Sequence, residues 1–145
     1  MERLEREIAH VQQLYPHATY VGIADGTPSN WDFLEQHTTV QILDFYHATG
    51  YLAEVAQIAC PRSLPKRTEW LETGCHELKH TKGAAALLLE EMQELARRPL
   101  SKSLQEKLQR AITSFANHPH QMDYARYRAN HLPIGSAMTE AACKT

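Results

Sequence analysis

Several carboxylates in the sequence have the chemistry and spacing of divalent-cation ligands. Asp25 ends the apolar run YVGIAD, and Asp44 ends a second run, QILD, with His47 three residues further on. Glu140 lies near the end of the chain, in TEAACK. Carboxylate oxygens are the ligands that suit Mg²⁺, which can activate water or a 3′-hydroxyl and stabilise the leaving oxygen of a phosphodiester. These residues predict a magnesium site for phosphodiester chemistry, provided that the fold brings them together.

Each of these residues also has an ordinary structural explanation. Asp-Gly is a common turn sequence, so Asp25 can simply end a strand. Asp44 can cap a helix, with His47 making satisfied contacts beside it. Glu140 in the first turn of a helix is favoured by the helix dipole alone. The spacing therefore leaves the catalytic and the structural interpretation open.

A second motif, HELKH at residues 76–80, has the HExxH pattern of helical zinc proteases. In that interpretation His76 and His80 bind zinc and Glu77 acts as general base, in a zinc-dependent hydrolase. Lys79 lies inside the motif, where a cation beside the metal is unfavourable, and no clear third ligand follows at a short distance. The chain has nine histidines, which makes a chance match unsurprising. We therefore favour a solvated helix face and do not expect zinc.

A strand–helix–strand unit is predicted to position the first two carboxylates. The runs ATYVGIAD and TTVQILDFY read as strands, and GTPSNWDFLEQH between them reads as a turn and a short helix with Ser29 or Asn30 as N-cap. This compact order predicts two parallel strands joined by a crossover. Because parallel strands end at the same edge of a sheet, Asp25 and Asp44 are expected to face one crevice.

The remainder of the chain reads as helical. An amphipathic helix, MERLEREIAHVQQLY, precedes the first strand. After the second strand we predict helices over HATGYLAEVAQIAC, over about 68–97 with a break near Gly83, over 101–118 with Ser101 or Ser103 as cap, over QMDYARYRAN, and beyond Pro133 and Gly135.

The predicted fold class is α/β, with one unit of two parallel strands followed by a large helical insertion and a C-terminal helix. We divide a single domain into a βαβ part at about 1–60, the insertion at about 61–132 and the start of a Glu140-bearing helix at 133–145. Two strands are too few for a stable independent sheet. We therefore expect that they pair with another chain or that the chain is part of a larger α/β fold.

Composition excludes some function classes. The 145 residues carry a net charge of −2, so no general basic field indicates nucleic-acid binding. A local patch remains: DYARYRANH offers Arg126 and Arg128 for phosphates and Tyr124 and Tyr127 for base stacking. Arginines extended along a helix surface explain the same pattern equally well.

The cellular compartment is predicted from cysteines and hydropathy. The three cysteines are an odd number without CxxC spacing, which predicts reduced thiols in the cytoplasm. No run approaches the ~18 apolar residues that a membrane span needs, and Met1 begins a charged segment that does not resemble a signal peptide. We expect no membrane partner.

Three stretches together resemble a known family. VGIADGTPSNW, QILDFYHATGYLAEVA and YRANHLPIGSAMTEAACKT are similar to the later half of the DDE catalytic domain in bacterial insertion-sequence transposases. The most similar group is the Kra type, related more distantly to Mutator-like transposases, and the similarity runs from about residue 18 to the end. The resemblance implies an RNase H-like fold and Mg²⁺-dependent DNA strand cleavage and strand transfer.

The resemblance also implies residue roles. Asp25 matches the second acidic position of the DDE triad and Glu140 the third, so both would bind Mg²⁺. Asp44 and His47 match a supporting Asp/Cys-x-x-His signature, and Trp31 matches an aromatic position that often follows the second Asp. The implied partners are DNA and either further copies of the chain or a full-length transposase. The resemblance implies that the active protein is associated with the bacterial nucleoid.

The position of Asp25 within the triad follows from the connection after it. If Asp25 were the first acidic residue, a hairpin should lead to an antiparallel strand, whereas the helix-like SNWDFLEQ intervenes. The resemblance thus places the first Asp before residue 1, and the chain is expected to be truncated at both ends relative to its relatives and inactive alone. A non-enzymatic interaction module is the alternative. The family usually has Gly-Ser-Gly before the glutamate, whereas this chain has GSA, with Ala137.

Overall fold

A computed structural model describes residues 2–15, 20–24 and 28–135. In these ranges the protein is mixed α/β and mostly helical, with a two-stranded parallel sheet. The elements are α1 Glu2–Leu14, β1 Val21–Ala24, α2 Pro28–His37, β2 Val40–Leu43, α3 Phe45–Ala59, α4 Leu64–His80, α5 Ala84–Leu95, α6 Lys102–Asn117, a 3₁₀ turn Pro119–Gln121 and α7 Tyr124–Ala129.

The βαβ unit is confirmed. β1 and β2 are parallel, with a register that runs from Val21 opposite Val40 to Ala24 opposite Leu43. The crossover helix α2 packs closely on β1, because a Cβ at Gly22 would lie 2.5 Å from a methyl carbon of Leu34. Glycine at this position lets the helix and the strand approach each other.

Two predicted boundaries in this unit are wrong. The second strand was expected to extend through Asp44 to Tyr46, but β2 ends at Leu43 because the Asp44 side chain accepts a hydrogen bond from the Tyr46 backbone N–H and begins α3. The crossover helix begins at Pro28, so Ser29 and Asn30 lie within its first turn and not at the N-cap position before it. Proline suits a first helical position, since it has no N–H to leave unpaired.

The helical half follows local sequence signals. The predicted break lies at Gly83, which adopts a left-handed φ of 74° between α4 and α5. Ser63 caps α4, so this helix begins at Leu64, a few residues before the predicted start. Ser101 caps α6 by accepting from the Leu104 N–H, which decides between the two predicted caps. α1 matches the predicted amphipathic helix, and no helix in the described ranges is long and apolar enough to cross a membrane.

One hydrophobic core joins the sheet to the helices. Ile42 and Leu43 of β2 belong to the same buried cluster as residues from α3 to α7. The helical part therefore packs directly on the second strand. The largest fully buried side chains of this core are Tyr124, Phe115, Ile42, Leu43, Leu52, Leu78, Met92, Leu108 and Val55.

Candidate functional site

Three chain segments meet at the carboxyl edge of the sheet, which is the end formed by Ala24 of β1 and Leu43 of β2. The Asp44 backbone N–H donates to the Ala24 carbonyl over 2.7 Å and thus links the two strand ends. The next N–H, that of Phe45, donates to the carbonyl of Ile134 over 2.8 Å. A segment distant in sequence is thereby held where both strands end.

Asp44 lies at the centre of this edge. Its carboxylate is half-buried, and Oδ1 accepts from the Tyr46 N–H over 2.9 Å, as an N-cap of α3. Gly135 packs directly against it, since a Cβ there would lie 2.5 Å from Cδ2 of Tyr46 and 3.3 Å from Oδ1 of Asp44. The N-cap explanation of Asp44 is therefore correct, and the same geometry holds its carboxylate beside residues 134–135.

Tyr124 of α7 contacts this edge from the hydrophobic core. Its hydroxyl donates to the Leu43 carbonyl over 2.6 Å, and its ring meets the Phe45 ring edge-on, with the centroids 5.1 Å apart. Burial raises the pKa of Tyr124 well above its usual range. The last carbonyl of β2 is therefore bound to α7 by a neutral, buried phenol.

The stacking role predicted for the two tyrosines is wrong. Tyr124 is fully buried, and Tyr127 is 7% exposed, with its hydroxyl donating to the His120 carbonyl. Neither ring is available to a base. The signal that could have revealed this is their i, i+3 spacing on a short helix, which puts both rings on one side, towards the core.

Asp25 and Glu140, the two predicted magnesium ligands, lie outside the described residues. The sequence nevertheless connects both to this edge. Asp25 directly follows Ala24, which pairs with Leu43, and Glu140 is five residues after Gly135. Two of the three segments that form this edge are therefore followed, within a few residues in the sequence, by a predicted ligand.

His47 and Trp31, the other two predicted supporting residues, make different contacts. His47 is exposed on the first turn of α3, and its ring meets Tyr51 edge-on at 5.1 Å between centroids. Trp31 is half-buried on α2, packs against the core and has its ring centroid 5.3 Å from that of His118. Burial lowers the pKa of His118, which favours the neutral ring against this indole. His47 therefore lies one turn from Asp44, whereas the contacts of Trp31 are those of a packing residue.

The HELKH motif lies on an exposed face of α4. His76, Glu77 and His80 are all exposed, and the two imidazole centroids are 4.5 Å apart. Nη1 of Arg128 lies 2.7 Å from Nδ1 of His80, so a cation lies beside one of the two histidines that would bind zinc. Partial desolvation, followed by the charges of Arg128, His76 and Lys79, lowers the pKa of His80. Within the described ranges no three His, Cys, Asp or Glu side chains are grouped to hold a metal.

Both arginines proposed for DNA contact are on α7. Arg128 is exposed, and its guanidinium is engaged with His80. Arg126 is also exposed and lines a cleft with Lys82 and His120. Their role in phosphate binding stays a prediction.

The described edge combines the ends of two parallel strands, the N-terminus of α3 and one half-buried carboxylate. A carboxylate oxygen is a ligand that suits a divalent cation. The first two backbone N–H groups of α3, those of Phe45 and Tyr46, already donate to the Ile134 carbonyl and to the Asp44 carboxylate. Comparison of the chain with protein-family models, with curated proteins and with solved structures gives no match.

Proposed function

We propose that this chain is part of the RNase H-like catalytic domain of a bacterial insertion-sequence DDE transposase. The reaction of such a domain is Mg²⁺-dependent cleavage of DNA at the ends of the element, followed by attack of the freed 3′-hydroxyl on target DNA. In this proposal Asp25 and Glu140 bind Mg²⁺, and Asp44 and His47 form the adjoining wall of the site.

The proposal is carried by one observation, which is that the three stretches that resemble the family converge on one edge. VGIA forms β1, and QIL lies in β2 with Asp44 directly after it. The carbonyl of Ile134, in PIGS, accepts a hydrogen bond from the Phe45 backbone N–H. The similarity itself rests on sequence motifs alone. Those motifs converge at the carboxyl ends of parallel strands, which is where α/β sheets usually form their sites.

The residues at the edge have definable tasks in this proposal. Carboxylate oxygens of the predicted ligands are the donor set that Mg²⁺ prefers, and the bound metal would activate the attacking oxygen and stabilise the leaving one. The capping bond from the Tyr46 N–H fixes the orientation of the Asp44 carboxylate at this edge. Residues 134–135 are held at this edge and lie a few positions before Glu140 in the sequence.

Catalysis by the chain alone is not expected. The resemblance assigns the second and third acidic positions to Asp25 and Glu140 and finds no match for the first within the 145 residues. A site with two of three acidic ligands should bind a cation weakly and should not cleave DNA. Cation binding is therefore the appropriate test.

We expect the purified chain to bind one Mn²⁺, used as a spectroscopic substitute for Mg²⁺, and to release it when Mg²⁺ is added in excess. Asp25→Asn and Glu140→Gln should each weaken binding by about tenfold or more, since even residues outside the ligand shell change metal affinity that much. The double variant should bind more weakly than either single variant, because it keeps neither carboxylate ligand. Free Mn²⁺ measured by electron paramagnetic resonance gives the affinity.

The matched controls are Glu72→Gln and Glu106→Gln, two exposed glutamates on α4 and α6. Both variants should bind Mn²⁺ like the unchanged protein. Equal loss in the control variants would show that Mn²⁺ binds the acidic surface generally and would contradict the proposal. Stoichiometric zinc in protein purified without a histidine tag, lost on His76→Ala, would favour the zinc hydrolase instead.

A further inference from the structure

A groove runs between α4 and α5 on the side of the protein formed by the helical insertion. Its floor includes Cys60 at the end of α3, Trp70 of α4, and Leu88 and Leu95 of α5, and its volume is about 830 Å³. An adjoining recess of about 330 Å³ shares Cys60, Trp70 and Leu88 with it. We call these two connected cavities the α4–α5 groove.

The floor of the groove is apolar and partly open to water. Trp70 is half-buried, and Leu87 on the wall is 55% exposed. When a complementary apolar side chain covers large apolar side chains that are exposed in a concave surface, burial of that apolar surface stabilises the complex. The groove is therefore suited to bind an apolar side chain of a ligand.

The rim of the groove is acidic. Five glutamates line the two cavities against three basic residues, and one of those, Arg97, forms an ion pair with Glu94 at 3.3 Å. The glutamates are exposed, so their charges steer a ligand more than they hold it. The lining members are Glu69, Glu77, Glu90, Glu91 and Glu94, with Lys66, Arg97 and Arg98.

We propose that the α4–α5 groove binds a cationic amphipathic helix of a partner protein. The apolar face of that helix covers Trp70 and Leu87, and its lysines or arginines lie along the glutamate rim. The 12 residues of α5 give a wall of about 18 Å, enough for roughly three turns of a bound helix. Recognition of an amphipathic helix by an apolar groove with complementary charge is a recurrent binding mode. This proposal does not depend on the transposase assignment.

The probe for this proposal is an 18-residue peptide of leucine and lysine with all leucines on one helical face. We expect saturable binding by calorimetry, in buffer with a metal chelator so that His76 and His80 cannot contribute a metal site. Binding should slow alkylation of Cys60, which lines the groove, without changing that of Cys75, which does not line it. Peptide mapping by mass spectrometry separates the two cysteines.

The charge of the rim is tested by Glu77→Gln together with Glu91→Gln. This pair should weaken binding by about threefold to tenfold, as expected for two solvent-exposed ion pairs. The matched pair Glu72→Gln with Glu106→Gln removes the same charge from exposed positions outside the groove and should leave the affinity unchanged.

A peptide of the same composition but scrambled sequence distinguishes the groove from general attraction to an acidic surface. It should bind at least several-fold more weakly, because it has no continuous apolar face. Equal binding of both peptides, equal loss in both glutamate pairs, or unchanged alkylation of Cys60 would each overturn the proposal.

Discussion

Replacement of Tyr124 by alanine is expected to lower the free energy of unfolding by about 3–5 kcal/mol, the usual range for loss of a large buried aromatic residue. Tyr124 is fully buried, packs edge-on against Phe45 and donates its hydroxyl to the Leu43 carbonyl. The change removes a core contact and, at the same time, the bond between α7 and the end of β2. Urea denaturation followed by circular dichroism measures the effect.

Tyr124→Phe separates the two contributions. It keeps the ring and removes the hydroxyl, and we expect a loss of about 1–3 kcal/mol, since a buried carbonyl loses its partner. Arg126→Ala on an exposed position of the same helix is the control and should change stability by less than about 0.5 kcal/mol. A Tyr124→Phe variant as stable as the unchanged protein would contradict the bond to Leu43.

Gly135→Ala has the second large effect, an expected loss of about 1–3 kcal/mol from overpacking. A Cβ at this position would lie 2.5 Å from Cδ2 of Tyr46 and 2.6 Å from its Cε2, so the 134–135 segment or the ring must move. Movement should also break the hydrogen bond from Phe45 to Ile134. Amide hydrogen exchange at Phe45 should therefore become faster in the variant, in addition to the loss of stability.

Gly50→Ala is the matched control for this glycine. Gly50 lies inside α3, and a Cβ there would meet no atom within 4 Å. Alanine should stabilise the helix at this position by about 0.5–1 kcal/mol, since it has the higher helix propensity. If both variants shifted stability in the same direction and by the same amount, the close contact of Gly135 with Tyr46 would be refuted.

Local signals explain why much of the fold could be predicted from sequence. The apolar runs on either side of SNWDFLEQ predicted a parallel βαβ unit because a crossover needs intervening chain, and the structure has this unit. Gly83 and Ser101 act through their own backbone or side-chain bonds, so the helix break and the cap were visible without knowledge of the packing.

The errors arose where two local preferences compete or where tertiary contacts decide. DFY has apolar character suited to a strand, but the Asp44 carboxylate satisfies the Tyr46 N–H and begins a helix instead. For Tyr124 the deciding partner is the Leu43 carbonyl, which is 81 residues away in sequence. The convergence of Ile134 on Phe45 is likewise a tertiary contact, which periodicity cannot predict.

The central claim is that Asp25 and Glu140 bind one divalent cation at the carboxyl edge of the sheet, and paramagnetic broadening tests it most directly. In ¹⁵N-labelled protein, trace Mn²⁺ should broaden the amide signals of Ala24, Asp44 and Gly135 selectively and leave those of α4 and α5 sharp. Asp25→Asn should strongly reduce this broadening at the same Mn²⁺ concentration. Broadening centred on residues 76–80, or spread over the acidic surface and unchanged in Asp25→Asn, would contradict the account.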